Sequence, residues 1–319
     1  MIETLESMLD TVQSWLFQHL VDPALYALGL MSWQEKAYES LEWVVLGALQ
    51  IVLLYALLRP LEALFPAERW ADRKATRVDV LYTLLHRLGL FPLLIFMVLT
   101  PLAFAAARLM REFGITPFNL EGLWPGVTDI AWVSFLAYLV LLDFVDYWIH
   151  RAQHRWAWWW SLHALHHSQR QMSLWADNRN HLLDDLIRDA ILAAVALAIG
   201  VEPAQFVGVI ILTRALQSLQ HANVRLSFGP FDRVLVSPIF HRRHHAIGFG
   251  HEGAHWGCNF AVLFPVWDWI FGTADFRRSV EPTGIRDQLP EPAGRARNYG
   301  EGFWAQQWLG LKRLVRHDA

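Results

Sequence analysis

Long uncharged runs dominate the hydropathy pattern. Residues 43–58 carry no charge, and the stretch 41–64 reaches the roughly 20 residues that a helix needs to cross a bilayer. Residues 88–107 form a second uncharged run. It contains Pro92 and Pro101, which spanning helices tolerate when neighbours satisfy the freed carbonyls. Residues 130–149 form a third, with Asp143 and Asp146 near its end. Ahead of these, residues 1–40 set acidic side chains around an aromatic stretch from Trp15 to Trp33, broken at Asp22-Pro23. That pattern predicts an interfacial amphipathic helix pair rather than a span.

Later segments are shorter. Residues 190–201 and 206–212 are apolar, but neither could cross alone. As one kinked span they would separate chemistry-bearing residues on either side. As a hairpin, turning at Gly200 and Pro203, they would return the chain to the side it left. Residues 276–300, with Pro282, Pro290 and Pro292, read as a surface loop. From Phe303 onward, Trp304, Trp308, Leu311 and Val315 alternate with Lys312, Arg313 and Arg316. This predicts a basic amphipathic tail helix, lying on the cytoplasmic membrane surface or docked on the body. The expected organisation is an N-terminal interfacial segment (1–40), a membrane-embedded catalytic domain (41–275) and a cytoplasmic tail (276–319).

Composition agrees with a membrane protein. Of 319 residues, 54% are hydrophobic and 18% charged, below the roughly 25% of soluble domains. The 17 Trp and 19 Phe suit the membrane interface. A net charge of −3 suggests no nucleic-acid partner. The N-terminus lacks a basic n-region, so no signal peptide is expected. Arg59, Arg69, Arg73, Lys74 and Arg77 lie between the first two runs, and Arg151, Arg155, Arg170 and Arg179 follow the third. The positive-inside rule then places the N-terminus outside and both basic segments in the cytoplasm.

Histidine carries the candidate chemistry. Eight of the 15 histidines fall in three boxes: His150/His154, His163/His166/His167 and His241/His244/His245. Spacings of three and four stack side chains on one helix face, and neutral imidazole is the commonest protein metal ligand. Any one box could be an ordinary set of surface or capping histidines; three boxes, two of them reading H-x-x-H-H, point to a metal centre. The single cysteine, Cys258, excludes a thiolate cluster, so the ligands are nitrogen and oxygen. The number of imidazoles exceeds the four that one structural site uses and suits two metals. Iron, zinc, copper and nickel all accept imidazole. His181 and His221, at the two ends of the hairpin, are further candidate ligands. His251 and His255 are outer candidates, and His19, His86 and His317 read as ordinary.

Asp143, Asp146 and Tyr147 precede the first box on the same helix. Acidic side chains inside a span are costly and usually paired or functional. Either Asp could accept a hydrogen bond from a ligand imidazole, or pair with an arginine such as Arg151 or Arg214.

The ordered set Asp143-x-x-x-Tyr147-x-x-His150-Arg151-x-x-His154, Trp160-x-x-His163-x-x-His166-His167-Ser168, His221-Ala222-Asn223-Val224, Ser237-Pro238-x-x-His241-Arg242-x-His244-His245 and Trp267-Asp268-x-x-Phe271-Gly272-Thr273 resembles the membrane fatty acid hydroxylase superfamily, also called the sterol desaturase family. The resemblance covers roughly residues 135–275. It implies an all-α polytopic membrane bundle whose cytoplasmic cap holds a dimetal site with two Fe ions. It also implies O2 as co-substrate, and electrons from a separate NAD(P)H-linked reductase chain delivered by an electron-transfer protein. The reaction implied is hydroxylation, or alternatively desaturation, of an acyl chain or sterol-like lipid. His181 and His221 stand where the family has histidines flanking the later boxes. Leu182 replaces a common Pro, Gln217 stands where some hydroxylases have a further histidine, and Asn259-Phe260-Ala261 replaces Asn-Tyr-Gly.

Two readings compete from other classes. A membrane metal-binding or transport protein would spread ionisable residues through its spans. A zinc hydrolase would need an acid/base carboxylate, for which Glu252 is the nearby candidate.

Overall fold

A computed structural model describes residues 2–70, 74–201, 203–251, 256–290 and 296–315. Among these residues the ordered structure is helical. The pairings Pro66–Val224 and Ala246–Thr283 are isolated bridges and no strand forms. Glu252, His255 and His317 lie outside the described residues.

The N-terminal region begins with α1 (Ile2–Leu16), a single π-helical turn and α2 (Asp22–Ala27). The chain stays helical through Asp22-Pro23, contrary to the expected break. Pro23 sits in the first turn of α2, directly after the π-helical turn, where its fixed φ suits the helix. The next helix, α3 (Gln34–Leu64), starts earlier than the apolar run suggested. Its first turns are fastened to α1 and α2: Gln13 Nε2 donates to Tyr38 O at 2.9 Å, and Gln34 Nε2 to Asp22 Oδ1 at 2.7 Å.

α4 (Arg77–Arg87) is short, and Gly89, at φ +82, separates it from α5 (Leu90–Glu112). α6 (Ala131–Arg155) completes the long set. Three stretches, Met31–Leu64, Leu93–Glu112 and Ala131–Arg155, are long and apolar enough to cross a membrane.

Trp156 is extended (φ −96°, ψ 118°) and turns the chain from α6 into α7 (Ala157–His167). The hairpin follows as α8 (Leu182–Ala198) and α9 (Pro203–His221). Gly200, at φ +71, makes the turn, and a Cβ there would meet Phe118 O at 2.5 Å. Both arms pack their apolar faces on α6, where Leu139 and Leu142 meet Ala196 and Val209. The polar ends of the hairpin return to one place. Asp184 at the start of α8 bonds His163, and His221 at the end of α9 contacts His166, both on α7.

Three shorter helices complete the body: α10 (Pro238–His244), α11 (Val266–Ile270) and α12 (Phe303–Val315). Ser237 caps α10 by accepting from Phe240 N, and Pro238 fits its first turn. α12 docks on α7 and α4, with Trp304, Trp308 and Val315 left exposed on its other side. Buried ion pairs tie α4 to the same body: Arg87 to Asp177 at 2.7 Å and Arg179 to Asp79 at 2.9 Å. Such pairs contribute more to fixing one arrangement than to net stability.

Candidate metal centre

The helices bring eight histidines into two buried groups of four. His150, His154, His167 and His244 form one, and His166, His221, His241 and His245 the other; within each, ligand atoms all lie within 4.8 Å of one another. The helical repeat explains the sorting. Pairs four residues apart share a face, so His150/His154 stay together in the first group and His241/His245 in the second. Adjacent histidines point about 100° apart on a helix. His166 and His167 therefore divide between the groups, as do His244 and His245. Each H-x-x-H-H box serves both groups, rather than presenting all its rings to one.

The backbone sets the tautomer of four of these rings. His150 Nδ1 lies 2.8 Å from Phe260 O, His154 Nδ1 3.2 Å from Trp256 O and His244 Nδ1 2.7 Å from Cys258 O. A carbonyl only accepts, so each Nδ1 carries the proton and each Nε2 is left with a lone pair. His221 Nδ1 donates likewise to Gln217 O at 2.8 Å. In the second group the Nε2 atoms then face one another at 3.0–3.2 Å. In the first, His244 and His167 Nε2 are 3.1 Å apart. Nitrogens about 2.1 Å from one shared tetrahedral ion would lie about 3.4 Å from each other. Converging lone pairs at that separation fit a cation better than they fit one another.

Burial pushes the pKa of His166, His167, His241 and His245 well below the ordinary value, and that of His244 down to about 3. Neighbouring imidazoles act in the same direction in His166, His167, His241 and His245. All five are thus held neutral, the form that binds metal.

His163 flanks both groups, its ring 5.2 Å from those of His154 and His167 and 5.3 Å from that of His166. Its Nδ1 donates to Asp184 Oδ2 at 2.9 Å, and its buried Nε2 has no hydrogen-bond partner. Carboxylate, histidine and a bared Nε2 in line make the arrangement that orients a metal ligand. Gln153 Nε2 and Trp159 Nε1 fix the other oxygen of Asp184, at 2.7 and 2.6 Å.

Residues 135–273 match the fatty acid hydroxylase family. Over that stretch the chain is similar to the membrane fatty acid hydroxylase superfamily. It is 28% identical over 312 residues to an ornithine lipid hydroxylase of Rhizobium tropici, covering 94% of this chain and 85% of that one. It is 30% identical over 145 residues to an alkylglycerol monooxygenase of Homo sapiens, covering 46% of this chain and 31% of that one. A very-long-chain aldehyde decarbonylase of Oryza sativa is 26% identical over 151 residues, 42% of this chain and 22% of that one. No solved structure matches. Members of the superfamily are iron-dependent oxygenases. The matched region, 135–273, contains nine of the histidines just described, from His150 to His245.

Other expected site residues lie away from the two groups. His181 caps α8: its Nδ1 accepts from Leu183 N, so its Nε2 is the donor, bonded to Gln307 O at 2.9 Å. With both nitrogens engaged and Gly310 packed against the ring, it is a capping residue and not a ligand. Asp143 accepts from Leu263 N, Phe264 N and Trp267 Nε1 at 2.8, 3.1 and 2.9 Å. Asp146 pairs with Arg188, whose Nε donates to it at 2.8 Å. Tyr147 OH meets Thr273 Oγ1 at 3.0 Å beneath Phe260 and Phe271. None of these three bonds a ligand imidazole; Asp184 does, and the sequence reading did not name it. Its signal was available, as Asp184 lies in the first turn of an amphipathic helix, three residues after His181 and at the end away from the hairpin turn. His251 stacks on Trp160 at 5.0 Å, at the rim of the first group.

Asp143 nevertheless serves the centre at one remove. Asp143 and Asp268 between them take the N–H groups of Phe260, Ala261, Leu263 and Phe264. This positions the segment whose alternate carbonyls, at 256, 258 and 260, hold three ligands. The glycine-rich stretch allows the close approach. A Cβ on Gly250 would lie 1.4 Å from His244 O, so only glycine fits.

Proposed function

We propose that the chain is a membrane-bound, O2-dependent lipid hydroxylase whose two histidine groups hold two iron ions. The observation that carries this reading is the convergence of lone-pair-bearing Nε2 atoms in two adjacent groups, inside the region that matches the hydroxylase family. His150, His154, His167 and His244 would hold one ion and His166, His221, His241 and His245 the other. His163 would complete either set. Bound iron supplies O2 activation, which no side chain provides.

The protein supplies the rest. Backbone carbonyls hold the Nδ1 protons of His150, His154, His221 and His244, and Asp184 that of His163, so these five present Nε2 to the centre. The buried imidazoles stay neutral without any carboxylate donor, leaving the positive charge of the ions uncompensated by ligands. The helices exclude water from the centre while α5, α6 and the hairpin offer apolar surfaces to a lipid. We place the centre on the cytoplasmic side, from the basic segments around it. There a separate electron-transfer protein, fed by an NAD(P)H-linked reductase, would deliver two electrons. Residues 41–275 act as the catalytic body in this reading, residues 1–40 as an interfacial segment, and residues 276–319 as a tail packed against the cap. The substrate class is a membrane lipid, with ornithine lipid first to be tried because the Rhizobium tropici relative is a hydroxylase of it.

The test is turnover of the purified full chain in lipid nanodiscs, loaded with iron and supplied with reductant and isotopically labelled O2. Hydroxylated lipid carrying the label is expected. An alkene product would assign the chain to the desaturases of the family. Full activity with zinc and no O2, or metal carried across the membrane without lipid product, would overturn the reading.

A further inference from the structure

Arg155 ends α6, one residue after the ligand His154. Its guanidinium lies over the Trp256 ring, 3.9 Å from the centroid. Together with Trp156, Ala157 and Trp158 these residues line a cleft of about 690 Å³. The three indoles are open: Trp156 is 50% exposed, Trp158 43% and Trp256 44%. Trp256 also has φ +58, a left-handed backbone that a bulky residue rarely adopts. Its carbonyl accepts the Nδ1 proton of His154. One strained residue thus touches the cleft with its ring and the candidate metal centre with its backbone. Strain of this kind persists where the surroundings demand it, and it clusters at functional sites.

We propose that this cleft seats the headgroup of the lipid substrate, and that the headgroup is of the amino-acid type, carrying both a carboxylate and an ammonium. The proposal rests on the lipid hydroxylase reading and deepens it. Stacking on Trp256 occupies one face of the guanidinium and leaves its in-plane N–H groups free. Those groups match a carboxylate bidentately. Among the described residues no carboxylate pairs with Arg155. Trp156, the most exposed of the three indoles, offers a ring face that attracts a cation. The position fits as well. The cleft lies at the end of a helix apolar enough to cross a membrane, the level at which indole rings and lipid headgroups meet. A neutral headgroup would leave the guanidinium edge unused, and a purely anionic one would leave the Trp156 face unused.

The test is lipid retention by the detergent-solubilised full chain, read by native mass spectrometry without added metal, O2 or reductant. The probes are N-acylornithine, its methyl ester, N-acylglycine and monoacylglycerol. Wild type is expected to retain N-acylornithine about tenfold better than the methyl ester, as loss of a bidentate charged contact predicts. Arg155→Gln should erase that preference, and Arg155→Lys should restore part of it. Trp156→Leu should weaken N-acylornithine and leave N-acylglycine unchanged. Equal retention of acid and ester by wild type, or an unchanged preference in Arg155→Gln, would overturn the proposal and reduce these indoles to membrane anchors. The two readings fail separately. Headgroup selection without any O2-dependent product leaves the cleft standing and removes the hydroxylase. Turnover with an unaltered preference in Arg155→Gln does the reverse.

Discussion

His166 and His167 are adjacent in sequence, yet each belongs to a different histidine group. On the proposed reading each side chain would address a separate ion. His167→Ala and His166→Ala should each lose one ion and keep the other, and the double variant should lose both. Metal analysis of the purified proteins reads this directly. Full loading of the double variant would refute the assignment.

Asp184 is the carboxylate that fixes a candidate ligand, through His163 Nδ1 at 2.9 Å. Asp184→Asn keeps the shape but presents a weaker acceptor. It should weaken metal retention about 10- to 100-fold, measured by competition with a chelator. Asp143→Asn makes the contrast. Its cost should fall on folding, about 1–3 kcal/mol for a buried acceptor with three donors, with metal stoichiometry intact. Equal metal loss in both variants would remove the distinction between them.

His181 separates a cap from a ligand. His181→Ala removes the acceptor for Leu183 N and the donor to Gln307 O. The expected result is a stability loss of about 1–3 kcal/mol with unchanged metal content. Loss of an ion without loss of stability would restore it to the ligand set.

Acid should destabilise the metal-free protein. Folded His244 has its pKa pushed down to about 3 by burial, against 6.5 for the free side chain. The unfolded chain takes up a proton that the folded chain refuses, so stability is full above pH 6.5 and falls as the pH drops toward 3. His166, His167, His241 and His245 shift in the same direction. Melting temperature should therefore decline steadily between about pH 7 and about pH 5. Bound metal should be released over the same interval, because protons compete for the ligand nitrogens. A flat melting profile would contradict a buried neutral cluster.

Much of this architecture was legible in the residues. Uncharged runs located the three long helices, and spacings of three and four located the boxes, because both are local and periodic. The need to bring the boxes together foretold the hairpin at Gly200. What escaped the sequence depends on contacts far apart in the chain. Asp184 reaches a histidine 21 residues earlier, and His181 is claimed by Gln307, 126 residues later. Asp143 and Asp146 sit at the right helical spacing for the first box, but α8 and the segment 263–264 compete for them and win. Spacing shows which residues share a face. It does not show what packs against that face.

The three carbonyls at Trp256, Cys258 and Phe260 have an evolutionary corollary. They orient His150, His154 and His244 through main-chain oxygens that every amino acid possesses. The hydrogen bond to each ligand is therefore indifferent to the side chain it comes from, even where that side chain packs for other reasons, as Trp256 does under Arg155 and Phe260 in the core. An insertion or deletion of one residue between 256 and 260 would throw the carbonyls out of register and disturb three of the four histidines of one group at once.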